Sequence, residues 1–334
     1  MAGAGGVDLA AGAMAAGAAG ALPCAMLTPE ALRAQYAGLR SAAAGPVNLN
    51  FFCHRLGPVP DESDWQVLLA PFYAEYGVGP PETPPPLRTP FDETMAAAVE
   101  ELRPAIVSFH FGLPEESLLR RVRDAGALVI ASATSVAEAR WLTARGVDAV
   151  IAQGWEAGGH TGRFLGEDPA AAMGLFALLP QIADAVDVPV IAAGGIGDGR
   201  GIAAALMLGA CAVQIGTAYL ACPESLISAP HRDGLGSEAA DRTMFTNLFS
   251  GGLARGLPNR LMEELGPVRA EAPPFPYASA ALARLRNADP GAFGPLWAGQ
   301  AARLARPLPA AALTERLAAE ALALLGRTGA GWPA

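Results

Sequence analysis

The sequence contains no lysine, so arginine and histidine supply all of its basic side chains. Without lysine the protein cannot form a lysine Schiff base or a P-loop, because both need an amine on a flexible stem. The net charge of −9 and the isoelectric point near 5.0 argue against nucleic acid as a partner. A bound phosphate would therefore depend on arginine or on backbone N–H groups.

Cysteine and histidine are scarce, with four of each. The cysteines are widely spaced and form no C-x-x-C pair, which indicates reduced, mostly core thiols and a cytoplasmic protein. No charge occurs between Asp8 and Glu30, but this segment is rich in Ala and Gly and follows no basic region. We therefore expect neither an export signal nor a membrane span. No ligand spacing typical of a metal site is present.

Seven short apolar runs predict a parallel β-sheet, since helical patterns follow them at fairly regular spacing. The runs are Ala21–Ala25, Val47–Phe52, Ile106–Phe111, Leu128–Ser132, Ala149–Ala152, Val188–Ile196 and Ala212–Thr217. Glycine-rich sequence follows the last two runs, and a (β/α)8 barrel has its phosphate site in the loops after its last strands. An open doubly wound sheet is the alternative, but in that fold the glycine-rich sequence follows the first strand.

We thus predict an α/β fold with a TIM (β/α)8 barrel over residues 1–222. Leu and Ala at helical spacing predict a helical extension over residues 223–334, packed near the barrel mouth.

The proline-rich connector from Gly77 to Pro90 is either a domain boundary or a long excursion within one domain. We favour the excursion, because the strand–helix alternation resumes beyond it.

Two histidines lie where predicted strands end. His160 belongs to the glycine-rich stretch from Gln153 to Gly162, and His110 follows Phe109. Parallel strands would direct both imidazoles to one mouth, where they can accept a proton or stabilise a developing anion. The alternatives are an ordinary βα turn around His160 and a core position for His110. His54 and His231 lie in predicted loops, and we expect His231 at the surface.

Two glycine signals about twenty residues apart predict a phosphate site. Gly194–Gly195 and Gly216–Thr217 each end an apolar run. Together they can turn backbone N–H groups toward one phosphate, with the following helix start favouring negative charge. Simple turns are the alternative for either pair alone.

With these motifs the chain resembles the nitronate monooxygenases over nearly its whole length. The segments that carry the resemblance are Met1–Gly3, Asn48–His54, Val107–Gly112, Ala152–His160, Ile191–Ile196, Gln214–Thr217, Ala254–Gly256 and Trp297–Gln300. The E-A-G-G-H sequence that ends at His160 is the most specific of them, whereas many FMN barrels share the glycine pairs.

The resemblance implies an FMN-dependent oxidation of alkyl nitronates by O2 to a carbonyl compound and nitrite. It implies His160 as base or orienting group at the substrate carbon, with His110 bonded to the nitro oxygens. The implied FMN contacts are Met1, Ala2, Gly3, Asn50, Gln153, Gly158, Gly159, Gly194, Gly195, Gln214, Gly216, Thr217 and Ser250, with Gly251 beside them. A homodimer is left open.

The chain departs from the family pattern at its start, because the family has a strand just before its Met-Ala-Gly. We therefore expect the first barrel strand to be missing. The explanations are a start site placed too far downstream, a rearranged barrel that uses another strand, and a poorly folded fragment.

Two other functions compete with nitronate oxidation. One is an FMN enoyl-thioester reductase with a nicotinamide and an acidic carrier protein as partners, and the other is a non-catalytic flavin-binding protein.

Overall fold

The computed structural model describes residues 3–83, 85–166 and 169–328. Met1 and Ala2, two of the expected FMN contacts, lie outside the described residues.

The described residues contain ten strands in two sheets. The strands are β1 (Gly20–Pro23), β2 (Val47–Phe52), β3 (Ile106–His110), β4 (Leu128–Ala133), β5 (Ala149–Gln153), β6 (Gly159–His160), β7 (Val190–Ala193), β8 (Ala212–Gln214), β9 (Met244–Thr246) and β10 (Ala254–Gly256). Seven of them form a parallel sheet in the order β1-β2-β3-β4-β5-β7-β8, which confirms the predicted strands and fold class. Strands β1 and β8 are its edges, so the described residues leave the expected gap in the barrel.

Helices follow the strands as the alternating pattern predicts. They are α1 (Val7–Ala15), α2 (Pro29–Ala42), α3 (Ser63–Tyr76), α4 (Glu93–Leu102), α5 (Glu116–Asp124), α6 (Val136–Thr143), α7 (Leu175–Ala183), α8 (Gly199–Met207), α9 (Thr217–Leu220), α10 (Ala229–Gly236), α11 (Arg260–Leu265), α12 (Ala283–Ala288), α13 (Pro290–Phe293) and α14 (Ala310–Thr328). The predicted caps are present, since Thr28 Oγ1 accepts from the Ala31 amide and Ser135 Oγ from the Glu138 amide. Helix α14 packs against α8 and α1.

The two faces of the parallel sheet differ in chemistry, because successive side chains of a strand point to opposite faces. On one face Leu49, Val107 and Val150 are buried in the large apolar core that the helices cover. On the other face the register pairs Asn50 with Ser108 and Gln153 with Ala193. Polar side chains therefore collect at the carboxyl ends of the inner face, where a barrel has its mouth.

Helix α3 and the proline-rich connector form an excursion between β2 and α4. Trp65 and Tyr73 of α3 are buried in a second apolar core with Leu248 and Phe293, which lie beyond residue 222. Tyr73 also donates its hydroxyl hydrogen to the Ala281 carbonyl at 2.7 Å. Residues on both sides of position 222 thus share one core, and the division of the chain there stays a prediction.

The segment after residue 222 is not purely helical. Helical spacing predicts a helix from Leu253, but Ala254–Gly256 forms β10, and the helix begins only at Arg260. Strand β10 pairs antiparallel with both β6 and β9, so long-range pairing overrides the local helical pattern.

Glu138 joins α6 to the loop beyond His160. Its buried carboxylate accepts hydrogen bonds from the Thr134 amide at 2.7 Å, the Thr134 hydroxyl at 2.8 Å, and the amides of Phe164 and Leu165 at 2.7 and 3.2 Å. All of these groups are donors, so they match a carboxylate and do not match an amide.

We expect Glu138→Gln to lower the free energy of unfolding by about 1–3 kcal/mol, because the new NH2 group faces a donor and leaves it unpaired. Urea denaturation measures this change. Glu115→Gln, at an exposed position without a capping hydrogen bond, is the matched control and should be near neutral. Equal stability of the two variants would contradict the proposed role of Glu138.

Candidate active site

His160 is held on a short strand rather than in an open turn. Residue Ala254 of β10 pairs with His160, and the Thr161 amide donates to the Leu253 carbonyl at 3.0 Å. Just before it, Gly158 lies against another backbone segment, since a Cβ there would be 2.5 Å from the Gly299 nitrogen. Gly158 therefore allows close packing of two backbones, whereas Gly159 adopts φ +74°, which glycine tolerates best.

The imidazole of His160 is held by Ser250. Nε2 of His160 lies 2.7 Å from Ser250 Oγ, and the Ser250 hydroxyl points toward the Gly252 carbonyl at 3.4 Å. A serine hydrogen directed to that carbonyl leaves Ser250 Oγ to accept from Nε2, and we assign the proton of the neutral ring to Nε2 on this basis. Nδ1 then carries the lone pair, and it has no hydrogen-bond partner among the described residues. It is the atom that can accept a proton.

The backbone of His160 is held by two further side chains. Its carbonyl oxygen accepts from Gln153 Nε2 at 3.0 Å and from His110 Nε2 at 3.2 Å. Gln153 Oε1 accepts from the Gly162 amide at 2.6 Å, and Ser132 Oγ lies 3.2 Å from His110 Nδ1. The structure thus brings His110 to His160, as predicted, but both ring nitrogens of His110 have protein partners. Its predicted bond to nitro oxygens stays a prediction.

Burial keeps the histidines of this site neutral. Desolvation lowers the pKa of His160 well below 6.5, and the nearby bases Arg88, His110 and His54 lower it further. Burial also lowers the pKa of His110 to about 4, although the hydrogen bond to the His160 carbonyl opposes the shift. The titratable groups that lower the pKa of His160 are all bases, and the charged one, Arg88, favours a bound anion over a second cation.

Aromatic rings surround His160. Their centroids lie 5.1 Å (Phe275), 5.5 Å (Trp297), 6.1 Å (Phe111) and 6.2 Å (Phe52) from that of the imidazole. Phe111 adopts φ +67°, a left-handed conformation that is uncommon for bulky side chains. Such strain is often found at functional sites, and here it accompanies a ring placed in the wall around His160.

The two glycine pairs meet at one edge of the sheet. Ala193 pairs with Gln214, so the residues that follow them, Gly194–Gly195 and Gly216–Thr217, lie side by side. Gly194 and Gly195 have φ +107° and +69°, which only glycine adopts readily. Thr217 Oγ1 accepts from the Gly299 amide at 2.9 Å, and its own O–H remains available. This donor set is suited to a phosphate.

The start of α8 does not add to this phosphate site. Asp198 already accepts from the amides of Arg200 and Gly201, and Glu320 accepts from the Gly199 amide at 3.2 Å. The N–H groups of α8 are bound by carboxylates, so α8 does not fit the expectation that the following helix start favours an anion. For α9, which begins at Thr217 without a side-chain cap, the expectation stays a prediction.

The other predicted contacts differ in their exposure. Gly195 and Gln214 are exposed, while Gly158, Gly159 and Asn50 are half-buried. Asn50 Nδ2 donates to Ser108 Oγ at 2.8 Å, and Ser250 is fully buried against His160. Gly3 is exposed and lies beside Ala4, whose carbonyl accepts from the Leu226 amide.

Several site features were not predicted from the sequence. Glu156 of the E-A-G-G-H stretch accepts from the Leu175 amide at 2.8 Å and so caps α7. Phe275 is far from His160 in the chain, and no local signal marks it. Ser250 was predicted as an FMN contact, but its hydrogen bond to His160 was not predicted. The prediction that His231 lies at the surface is wrong: it is buried under the Trp297 backbone, and burial lowers its pKa to about 4.

Comparisons with known proteins agree with this geometry. The family model described as nitronate monooxygenase matches residues 1–320. The chain is 44% identical to a nitronate monooxygenase of Paraburkholderia phytofirmans, over 96% of this chain and 90% of that protein. A nitronate monooxygenase of Pseudomonas aeruginosa is 43% identical, over 93% of this chain and 92% of its own length. The chain belongs to the nitronate monooxygenase family.

Two solved structures superpose on nearly the whole of this chain. A nitroalkane oxidase from Streptomyces ansochromogenes superposes with a TM-score of 0.87 and 39% identity, over 99% of this chain and 96% of that one. FabK from Thermotoga maritima superposes with a TM-score of 0.73 and 27% identity, over 99% and 93%. The resemblance and the expectation of an oxidoreductase are confirmed. Among the described helices, none has the length and apolar character needed to cross a bilayer.

The buried histidines predict loss of stability in mild acid. His110 and His231 have a pKa of about 4 when folded and near 6.5 when unfolded, so the unfolded chain binds more protons between these values. Each should contribute stability above pH 6.5 that is lost as the pH falls, roughly 1–2 kcal/mol between pH 7 and 5. Urea midpoints at pH 7, 6 and 5 measure this loss of stability, and His231→Gln should make the loss smaller. Midpoints that do not change over this range would contradict the predicted pH dependence.

Proposed function

We propose that this protein is an FMN-dependent enzyme that oxidises alkyl nitronates with O2 to a carbonyl compound and nitrite. The observation that carries the proposal is the neutral His160, which lies within a wall of aromatic rings and near the positive charge of Arg88, and whose Nδ1 has no hydrogen-bond partner among the described residues. A nitronate is an anion with an apolar alkyl part, and this environment suits both parts.

The residues present fit FMN. Its phosphate can be bound without lysine, by the backbone N–H groups and one hydroxyl of Gly194, Gly195, Gly216 and Thr217. The remaining predicted contacts of FMN are Gln214, Asn50, Gln153, Gly158, Gly159 and Ser250, together with Met1, Ala2 and Gly3. Bound FMN supplies the electron acceptor, a role that no side chain of this site can take.

The protein's own residues would bind and orient the substrate and move one proton. Ser250 fixes the proton on Nε2 of His160, so that Nδ1 can take the proton from the carbon that bears the nitro group of a neutral nitroalkane. His110 and Gln153 hold the His160 backbone and so position the ring. The aromatic wall excludes water from the reacting carbon. A preformed nitronate has already lost that proton.

We expect His160→Asn to lower kcat/KM for nitroethane by about 10²- to 10⁴-fold, the usual contribution of a general base. With preformed ethyl nitronate the loss should be much smaller, because no proton has to be removed. Steady-state oxygen consumption with both substrates measures the difference. An equal loss with both would refute the role as base.

A reduction assay without oxygen distinguishes the competing functions. The flavin of the purified protein should be reduced by ethyl nitronate and not by NADPH. Rapid reduction by NADPH would instead support an enoyl-thioester reductase, and no reduction by either would support a flavin-binding protein without turnover.

A further inference from the structure

The proline-rich connector brings a cation next to the aromatic wall. The guanidinium carbon of Arg88 lies 6.0 Å from the centroid of the Phe275 ring. The same ring lies 5.1 Å from the imidazole of His160 and 4.8 Å from that of His54. Arg88 and His160 are therefore neighbours of one half-buried ring, and the charge of Arg88 lowers the pKa of His160.

The charge of Arg88 is not neutralised by the protein. Its guanidinium forms no ion pair and no hydrogen bond among the described residues, in contrast to Arg260, which pairs with Glu75 and Glu264. Arg88 is half-buried, and burial together with the nearby Arg286 lowers its pKa. A partly desolvated cation without a counter-charge is costly to the fold. Its position near His160 therefore favours a bound anion that supplies the missing counter-charge.

A buried polar atom without a hydrogen-bond partner lies on a residue that contacts Arg88. His54 is buried, and its Nε2 lies 3.0 Å from the Arg88 carbonyl oxygen, so Nε2 donates this hydrogen bond. Nδ1 of His54 is buried and has no partner. His54 thus fixes the backbone of Arg88 while keeping one polar atom free. The simpler explanation, that the Arg88 stem only covers Phe275, accounts for the packing but not for the buried, unpaired Nδ1 of His54.

We propose that Arg88 is a specificity-determining residue that binds the negative charge of the substrate, with His54 positioning it. The inference rests on the proposed function for the identity of the substrate. The ligand chemistry is a planar pair of oxygens, which a guanidinium binds with two parallel hydrogen bonds. These oxygens belong either to the nitronate itself or to a carboxylate elsewhere on the same substrate.

Arg88→Gln tests the proposal with ethyl nitronate and with the nitronate of 4-nitrobutanoate, which adds a carboxylate. We expect KM to rise about 10- to 100-fold, as for loss of a charge-assisted hydrogen bond, with kcat changed much less. Arg88→Lys should restore part of the affinity, because it keeps the charge without the planar fork. A similar rise for both substrates assigns Arg88 to the nitronate, and a rise only for the second assigns it to the carboxylate.

Arg284→Gln is the matched control. Arg284 lies on α12, pairs at 3.6 Å with Glu82 of the same connector, and is exposed. Its replacement changes the net charge equally and should leave KM unchanged. An unchanged KM for both substrates in Arg88→Gln would overturn the proposal.

Calorimetric titration of the full chain with nitrate, a planar oxyanion, needs no turnover. It therefore separates failure of this inference from failure of the proposed function. We expect nitrate to bind the wild-type protein and Arg284→Gln alike, and to bind Arg88→Gln at least tenfold more weakly. Equal affinity for all three proteins, or no binding to the wild type, would overturn the role of Arg88.

Discussion

The site depends on the hydrogen bonds that hold His160 at both its ring and its backbone. Ser250 engages Nε2, while Gln153 and His110 engage the carbonyl oxygen. These partners come from the segment before β10, from the end of β5 and from the end of β3. The parallel sheet therefore positions the site, because polar side chains at the carboxyl ends of its strands lie close together although they are dozens of residues apart in the sequence.

Desolvation gives this arrangement its chemical character. A histidine in water is partly charged near neutral pH, but His160 is surrounded by aromatic rings and by other bases, which hold it in the neutral form. The same environment leaves the positive charge of Arg88 without a counter-ion among the described residues. A neutral base beside an unpaired cation is suited to a substrate that is an anion or becomes one.

Much of the fold was predictable from local patterns. The seven strands, the caps at Thr28 and Ser135, and the adjacent glycine pairs depend on alternation, capping and strand order, which short stretches of sequence encode. Strand ends also predicted that His110 and His160 would meet.

The remaining features depend on contacts between distant segments. Ser250 is 90 residues from His160, and strand β10 forms only because β6 and β9 pair with it. The burial of His231 depends on the Trp297 backbone, and the capping role of Glu156 on the position of α7. Periodicity and motif spacing carry no information on such pairings.

The tautomer of His160 is the central claim, and ¹⁵N NMR of histidine-labelled protein tests it most directly. The chain has four histidines, and the spectrum of His160→Asn assigns the signal. We predict a neutral ring with the proton on Nε2 and an unprotonated Nδ1 from pH 7 down to pH 5, below the ordinary histidine pKa of about 6.5. A charged imidazolium at pH 7, or a neutral ring with its proton on Nδ1, would contradict the account.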